Sequence, residues 1–275
     1  MKHICLNLKR FDIPREYGGT NFTAIQDFGK QTVQKLEQGL QAYREKAEFQ
    51  IFVPESQIMQ AVEAKQDPWL HIGSQGVHWD DIQISGNFGA FTTLLPASAV
   101  KAAGGDCVLI GHCEERNAKA YVLRQGGGNQ FSAINRILRE EIRCAVSRNM
   151  KVVYCVGENE EETDCWRNVI GEQLSLGLEA IPGSFVTIAY EPIWSIGPGK
   201  TPASKEHIER VASFIKEKTG GLPVIYGGGL KRENVSMLAS IEAIDGGLVA
   251  LTRFTGNIGF YPEEFLEIVR LYLSN

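Results

Sequence analysis

The sequence predicts an α/β protein in which eight parallel strands close into a (β/α)8 barrel, with residues 1–275 forming a single domain. Short apolar runs alternate along the chain with amphipathic segments that have helical spacing. The runs are apolar throughout, as expected of parallel strands covered by helices. A length of 275 residues also suits one barrel. An open, doubly wound sheet is the alternative that the same pattern allows.

In the first half of the chain, apolar runs predict strands one to four, and amphipathic stretches predict helices. Pro54 ends the second strand because proline has no backbone N–H to donate to a sheet. The helix after strand one is indicated by Val33, Leu36 and Leu40, which share one face at helical spacing. The predicted strands span 4–8, 49–53, 70–73 and 107–110, and the predicted helices span 32–49 and 56–65.

The second half of the chain repeats the pattern with strands five to eight. Apolar stripes that begin at Ile134 and Ile208 predict two of the intervening helices, and a last helix covers 262–273. No linker, low-complexity tract or charge block divides the chain. The four predicted strands span 151–156, 185–188, 223–226 and 247–251.

Composition narrows the function class. A net charge of -5 and a pI near 5.7 argue against nucleic acid or an anionic membrane as a partner. No apolar run approaches the roughly 20 residues of a membrane span, and the N-terminal residues lack the apolar stretch of a secretory signal. The six cysteines are scattered without a CxxC pair, which is typical of reduced thiols. We therefore expect a cytoplasmic protein.

The segment 189–201 follows the sixth predicted strand and carries a candidate acid–base residue. Glu191 lies at the carboxyl end of that strand, which Pro192 stops. The apolar residues beyond it, bracketed by prolines and glycines, predict a lid with stiff ends. An ordinary strand-to-helix loop with a solvated glutamate is the alternative. The predicted lid comprises Pro192, Ile193, Trp194, Ser195, Ile196, Gly197, Pro198, Gly199 and Lys200.

Polar residues follow the carboxyl ends of several other predicted strands. Singly, each has an ordinary structural explanation, such as a hydrogen-bonded histidine, a solvated lysine or a glycine turn. In a barrel these strand ends meet at one rim, where the active site of this fold is built. Together they supply the groups needed for proton transfer on a phosphorylated carbonyl compound. They are Asn7, Lys9, Gln75, His112, Glu191, Gly227, Gly228, Gly229 and Arg253.

Five segments at these strand ends resemble the signature segments of the triosephosphate isomerase family. The resemblance implies a TIM barrel, usually dimeric, that interconverts an aldose and a ketose phosphate without metal or organic cofactor. No His, Asp and Glu spacing along the chain indicates a divalent metal either. The segments are Asn7-Leu8-Lys9, Gly111-His112-Cys113-Glu114, Cys155-Val156-Gly157-Glu158, 190–200 and Tyr226-Gly227-Gly228.

The resemblance also implies catalytic roles for individual residues. Glu191 would be the base that moves a proton between adjacent carbons, and a lid would desolvate it. His112 would polarise the carbonyl oxygen as a neutral imidazole, which suits a helix N-terminus. Lys9 would stabilise the enediolate and the phosphate, and Asn7 would position a substrate oxygen. Glu114 is expected to hold Lys9 rather than to react.

Phosphate binding is where the chain departs most from the family. Gly197 and the glycines after strand seven, Gly227, Gly228 and Gly229, would present backbone N–H groups to the phosphate. Gly229 stands where the family has a serine, so one hydroxyl contact is absent. After strand eight, side chains replace the family's glycine pair, and Arg253 could supply a charged fork instead.

The lid and the segments expected at the subunit contact also differ from those of the family. Pro198 replaces a threonine and would stiffen the lid hinge. The loop after strand three is longer but keeps 89–92, which resembles the family's subunit-contact loop. Leu94 and Glu115 replace both members of an expected ion pair, so we expect a homodimer with a rebuilt interface. The connection 116–132 is expanded, and a surface insertion is the simplest interpretation.

These departures leave the proton-transfer residues unchanged. The sequence therefore predicts the interconversion of glyceraldehyde 3-phosphate and dihydroxyacetone phosphate through an enediolate, a step of glycolysis and gluconeogenesis. A paralogue that isomerises a longer phosphorylated ketose, such as a tetrulose phosphate, is the alternative among enzymes. A barrel that binds a phosphate ligand without turnover is the alternative from another class.

Overall fold

The computed structural model describes residues 1–130, 132–197 and 199–274, and its eight strands form one closed barrel. All neighbouring strands pair in parallel and in sequence order, and β1 pairs with β8 to close the ring. This arrangement confirms the predicted (β/α)8 barrel and excludes the open sheet. The strands are β1 (Lys2–Asn7), β2 (Ala47–Val53), β3 (Leu70–Ser74), β4 (Cys107–Ile110), β5 (Lys151–Val156), β6 (Val186–Tyr190), β7 (Val224–Tyr226) and β8 (Gly246–Val249).

Helices surround the barrel and pack on the outer faces of the strands. Within the described ranges they are α1 (Phe28–Leu40), α2 (Ile58–Ala64), α3 (Ala97–Ala102), α4 (Cys113–Gln125), α5 (Ser132–Ser147), α6 (Trp166–Gly177), α7 (Lys205–Thr219), α8 (Val235–Ala239) and α9 (Pro262–Leu273).

One sequence-based prediction about helices was wrong. The helix predicted over 32–49 begins earlier, at Phe28, and ends at Leu40, because the residues from Ala47 onward pair with β1 as a strand. The connection 116–132, interpreted as a surface insertion, is helical as far as Gln125, where α4 ends. Its polar surface hid the helical pattern, because only Ala120 of this helix is buried.

Side chains of alternate strand residues divide the core into two layers. One set points into the barrel, and the other packs against the helices together with residues such as Leu36, Leu138 and Ile215. Each fully buried aliphatic side chain contributes roughly 1.5–3 kcal/mol of transfer free energy, so both layers stabilise the ring. The inner layer comprises Cys5, Phe52, Cys107, Leu109, Val153, Cys155, Ala189, Ile225 and Leu248.

Two further properties concern the whole described chain. None of its helices combines the length and apolar character needed to cross a bilayer. All six cysteines lie in the described ranges, and all are free thiols.

Candidate active site

A carboxylate and an imidazole meet at the carboxyl rim of the barrel. Glu191 directly follows β6 and is 2% exposed, and His112 follows β4 and is 8% exposed. Glu191 Oε1 lies 3.2 Å from His112 Nε2. Glu191 Oε2 accepts a hydrogen bond from the backbone N–H of Cys113 at 3.0 Å. The fold therefore brings the two predicted proton-transfer groups into direct contact.

The protonation state of His112 follows from its place at the start of α4. Its Nδ1 accepts a hydrogen bond from the backbone N–H of Glu114 at 3.3 Å, which caps the helix. A ring nitrogen that accepts carries no proton, so the imidazole is neutral and its proton lies on Nε2. His112 can thus donate a hydrogen bond to an oxygen atom in the site.

Lys9 is held in an unusual backbone conformation beside these groups. Its φ of 41° lies in the left-handed region, which few residues other than glycine adopt. Its N–H donates to Asn7 Oδ1 at 2.9 Å, and its carbonyl accepts a hydrogen bond from Gln75 Nε2 at 2.8 Å. Gln75 Nε2 also lies 3.1 Å from Asn7 Oδ1. These contacts offset a strain of about 1–3 kcal/mol and fix the direction of the lysine side chain.

Glu114 links the cation to the imidazole. Its Oε1 accepts a hydrogen bond from Lys9 Nζ at 2.6 Å, and its Oε2 lies 3.7 Å from His112 Nδ1. Partial burial raises the pKa of Glu114, but the hydrogen bond and charge of Lys9 outweigh that effect and hold the pKa below its ordinary value. Glu114 therefore stays ionised and contacts Lys9, the partner expected for it.

The first half of the predicted lid is fastened to Glu158, which is fully buried. Glu158 Oε1 accepts hydrogen bonds from Trp194 Nε1 at 2.8 Å and from the Tyr190 hydroxyl at 3.0 Å. The carbonyl of Glu158 accepts a hydrogen bond from the N–H of Ile193. The segment Ile193–Ser195 is therefore a 3-10 turn that lies against the end of β5.

The second half of the lid is more loosely attached. Lys200 Nζ lies 3.6 Å from Glu160 Oε2, and both side chains are substantially exposed. Gly197 has a φ of 112° and Gly199 a φ of 77°, conformations that favour glycine. Pro198, predicted to stiffen the hinge, lies outside the described residues.

The glycines after β7 leave space for the carboxylate. A Cβ atom on Gly227 would lie 2.8 Å from Cγ of Glu191, so a side chain there would displace the carboxylate. Gly229 has a φ of 90°, which a serine would adopt only with strain. The glycine that replaces the expected serine thus matches a backbone that requires it.

Comparison with known proteins shows the family to which this chain belongs. A sequence profile described as "Triosephosphate isomerase" matches residues 20–271. The chain belongs to the triosephosphate isomerase family. Membership of this family makes it an isomerase.

Relatives of known name and one solved structure agree with this family. The triosephosphate isomerase of Pelodictyon phaeoclathratiforme is 34% identical over 213 residues, 73% of this chain and 75% of the relative. That of Alkaliphilus metalliredigens is 31% identical over 242 residues, 83% and 88% of the two chains. The crystal structure of triosephosphate isomerase from Bartonella henselae superposes with a TM-score of 0.73 over 98% of both chains at 22% identity, a likeness of fold.

Arg253, predicted to bind the phosphate, already contacts a carboxylate and an aromatic ring. Its guanidinium pairs with the carboxylate of Glu264 at the start of α9. It also lies 3.8 Å above the centre of the Tyr261 ring. Arg253 is therefore held by the loop after β8 and by α9, and a phosphate would share it with a carboxylate.

Glu115, which stands where the family has an arginine, belongs to a partly buried ionic cluster. Glu115 accepts a hydrogen bond from the N–H of Gly111 at 2.6 Å, and Lys119 Nζ lies 2.7 Å from Glu115 and 2.9 Å from Glu141. Burial and the charge of Glu115 raise the pKa of Glu141. A cavity of about 370 Å³ beside the cluster is lined by Leu94, Lys119 and Glu141. Glu115 thus supports the loop that carries His112.

Sequence reasoning placed three further residues at the rim or in the signature segments but gave them no individual role. Gln75 fixes the backbone of Lys9, Glu158 anchors the lid, and the N–H of Cys113 binds the carboxylate of Glu191. All three follow predicted strands at the same rim, so their position was a usable signal. Their contacts were not readable, because the partners lie far away in the sequence.

Proposed function

We propose that this protein interconverts glyceraldehyde 3-phosphate and dihydroxyacetone phosphate by proton transfer through an enediolate. The observation that carries the proposal is the contact between Glu191 and the neutral Nε2–H of His112 within a buried rim site. A carboxylate base and an uncharged hydrogen-bond donor are the pair that enolisation of a carbonyl compound needs.

The same contact indicates how substrate would enter. The substrate carbonyl oxygen would take the position of Glu191 Oε1 at the Nε2–H of His112, and the carboxylate would rotate toward the neighbouring carbon. Glu191 then removes a proton from that carbon and returns it to the former carbonyl carbon. His112 donates a proton to the carbonyl oxygen and accepts one from the neighbouring hydroxyl oxygen. The reaction therefore gains no proton or electron overall.

We assign charge stabilisation to Lys9, whose ammonium group donates to Glu114 beside His112. It would stabilise the negative charge of the enediolate, while Asn7 holds the loop and the substrate oxygen. Lid closure would exclude water from the site. Gly197, Gly228 and Gly229 would bind the phosphate through backbone N–H groups. The N–H of Gly227, predicted to do the same, instead donates to the carbonyl of Tyr190 at 2.7 Å.

The substrate is tested by comparing triose phosphates with tetrulose phosphates in a coupled isomerase assay. We expect kcat/KM for the trioses to exceed that for the tetruloses by at least about tenfold, because a misfit of one carbon costs roughly 1–3 kcal/mol. Good turnover of tetrulose phosphates with little turnover of trioses would make the longer ketose the substrate. Binding of either without turnover would indicate a ligand-binding barrel.

We propose Arg253 as the cation that replaces the missing phosphate contacts. Arg253→Ala should raise KM for triose phosphates by about 10- to 100-fold, the effect of losing one charge-assisted hydrogen bond. Steady-state kinetics give the value. Arg270→Ala is the matched control, since Arg270 pairs with Glu267 on the same helix, α9, at 2.8 Å. An unchanged KM in Arg253→Ala, or an equal change in both variants, would contradict the assignment.

We propose that the protein is a homodimer that uses the loop after β3. This loop exposes Ile84 and Phe88, which are 96% and 88% exposed, and Leu94, which is 46% exposed. Large apolar side chains that protrude together are typical of a subunit contact. Light scattering after gel filtration should give about twice the chain mass of 30.4 kDa. Ile84→Asp combined with Phe88→Asp should shift the mass to the monomer, and a monomeric unmodified chain would contradict the proposal.

We propose glycolysis and gluconeogenesis in the cytoplasm as the setting of the reaction. Six free thiols, three of them in the inner layer of the barrel, fit a reducing compartment. Fractionation of cells that express the tagged chain tests the location, and recovery in a membrane or secreted fraction would contradict it.

A further inference from the structure

Three different metal-ligating side chains converge beside the candidate catalytic contact. His112, Cys113 and Glu191 each present one donor atom, and these atoms all lie within 4.8 Å of one another. The closest pair, His112 Nε2 and Glu191 Oε1, is 3.2 Å apart. Cys113 Sγ lies 3.7 Å from Nδ1 of the same imidazole. The sequence-based expectation of no metal considered spacing along the chain, which does not reveal a donor set built from β4 and β6.

The 3.2 Å separation of His112 Nε2 and Glu191 Oε1 is close to that between two ligand atoms of a tetrahedral zinc site, whereas the contact of Cys113 is to the other ring nitrogen, Nδ1. Bond lengths of about 2.0–2.3 Å place the ligand atoms of such a site roughly 3.3–3.7 Å apart. Binding one ion would require rotation of the Cys113 side chain and the Glu191 carboxylate, to shorten separations of up to 4.8 Å to that range. The backbone of all three residues is fixed by strand ends and by the first turn of α4.

We propose that His112, Cys113 and Glu191 bind a thiophilic divalent ion such as Zn²⁺ as three protein ligands, with water in the fourth position. The thiol proton of Cys113 is released to solvent when sulfur binds the metal. Thiolate and imidazole favour zinc over the hard cations Mg²⁺ and Ca²⁺, which prefer oxygen ligands. The ion is an inhibitor and not a cofactor, because it occupies both groups that would perform proton transfer.

Direct metal binding tests this site without reference to catalysis. The full chain, freed of metal with a chelator, is titrated with Zn²⁺ by calorimetry and with Co²⁺ by absorption spectroscopy. We expect one ion per chain, a thiolate-to-cobalt charge-transfer band, and no binding of Mg²⁺ at the same concentration. Weak or non-stoichiometric Zn²⁺ binding, or equal binding of Mg²⁺, would overturn the proposal.

Variants distinguish metal binding at this site from metal binding at the other cysteines. Cys113→Ser should abolish the charge-transfer band and weaken Zn²⁺ binding by at least about tenfold. Glu191→Gln should weaken binding while retaining the band. Cys165→Ser is the matched control, because Cys165 is an exposed free cysteine on the surface. An unchanged band in Cys113→Ser, or its loss in Cys165→Ser, would assign the metal to another place.

Inhibition by the ion rests on the proposed function, and it is tested by measuring the rate of isomerisation with and without Zn²⁺. Zn²⁺ should inhibit isomerisation competitively with substrate, and a chelator should restore the rate. If the chain binds Zn²⁺ through Cys113 but isomerises no sugar phosphate, the metal site stands and the proposed function fails. If it isomerises trioses but Zn²⁺ leaves the rate unchanged at saturating metal, the proposed function stands and the metal site fails.

Discussion

Glu191→Gln is expected to lower kcat for triose phosphate isomerisation by about 10³- to 10⁴-fold, with a much smaller change in KM. Glutamine has nearly the shape of glutamate, but its amide cannot accept the carbon-bound proton. The variant keeps an oxygen that can accept from the N–H of Cys113, so the rim should retain its structure. Steady-state assays in both directions, with protein checked by thermal unfolding, give the comparison.

The control for this variant is a carboxylate of the same type without contact to the site. Glu209 lies exposed on α7, so Glu209→Gln removes one negative charge from the surface only. It should keep kcat within about twofold, since surface substitutions have small effects. If Glu191→Gln keeps more than a tenth of the original kcat while folding normally, Glu191 is not the base.

The barrel was predictable because each strand contains a short and mainly apolar run. Parallel strands are buried on both faces, so their pattern does not depend on knowing which side faces the helices. The ends of the helices were harder to predict from the sequence. Whether 47–49 continue α1 or begin β2 depends on pairing with Lys2 and its neighbours, a contact that local spacing does not encode.

The candidate site was predictable as a set of residues but not as a geometry. Glu191 and His112 follow strands, and the barrel brings all carboxyl strand ends to one rim. The sequence did not show that these two side chains touch, or that Cys113 adds a backbone donor and a thiol. Such contacts join distant parts of the chain, and Cys113 and Glu191 are 78 positions apart. The pairing of Arg253 with Glu264 is likewise invisible in the sequence, because it depends on how α9 packs on the loop after β8.

His112→Asn is expected to lower kcat by about 10²- to 10³-fold, the second of the large effects. Asparagine is among the best N-cap residues, so its side-chain oxygen can replace Nδ1 as acceptor for the N–H of Glu114. The shorter side chain cannot place a donor where Nε2–H lies against Glu191. The variant therefore removes the polarising hydrogen bond while α4 keeps its cap.

His112→Ala separates the chemical role of His112 from its capping role. Alanine removes both functions, and loss of the cap should reduce the free energy of unfolding by about 1 kcal/mol, measured by urea denaturation. If His112 acts chemically, both variants lose activity to a similar extent although only the alanine variant is destabilised. If activity instead follows stability, with His112→Asn close to the unmodified protein, the imidazole serves the helix and another group must polarise the carbonyl. The comparison assigns the electrophile because the two variants share the lost Nε2–H and differ in the cap.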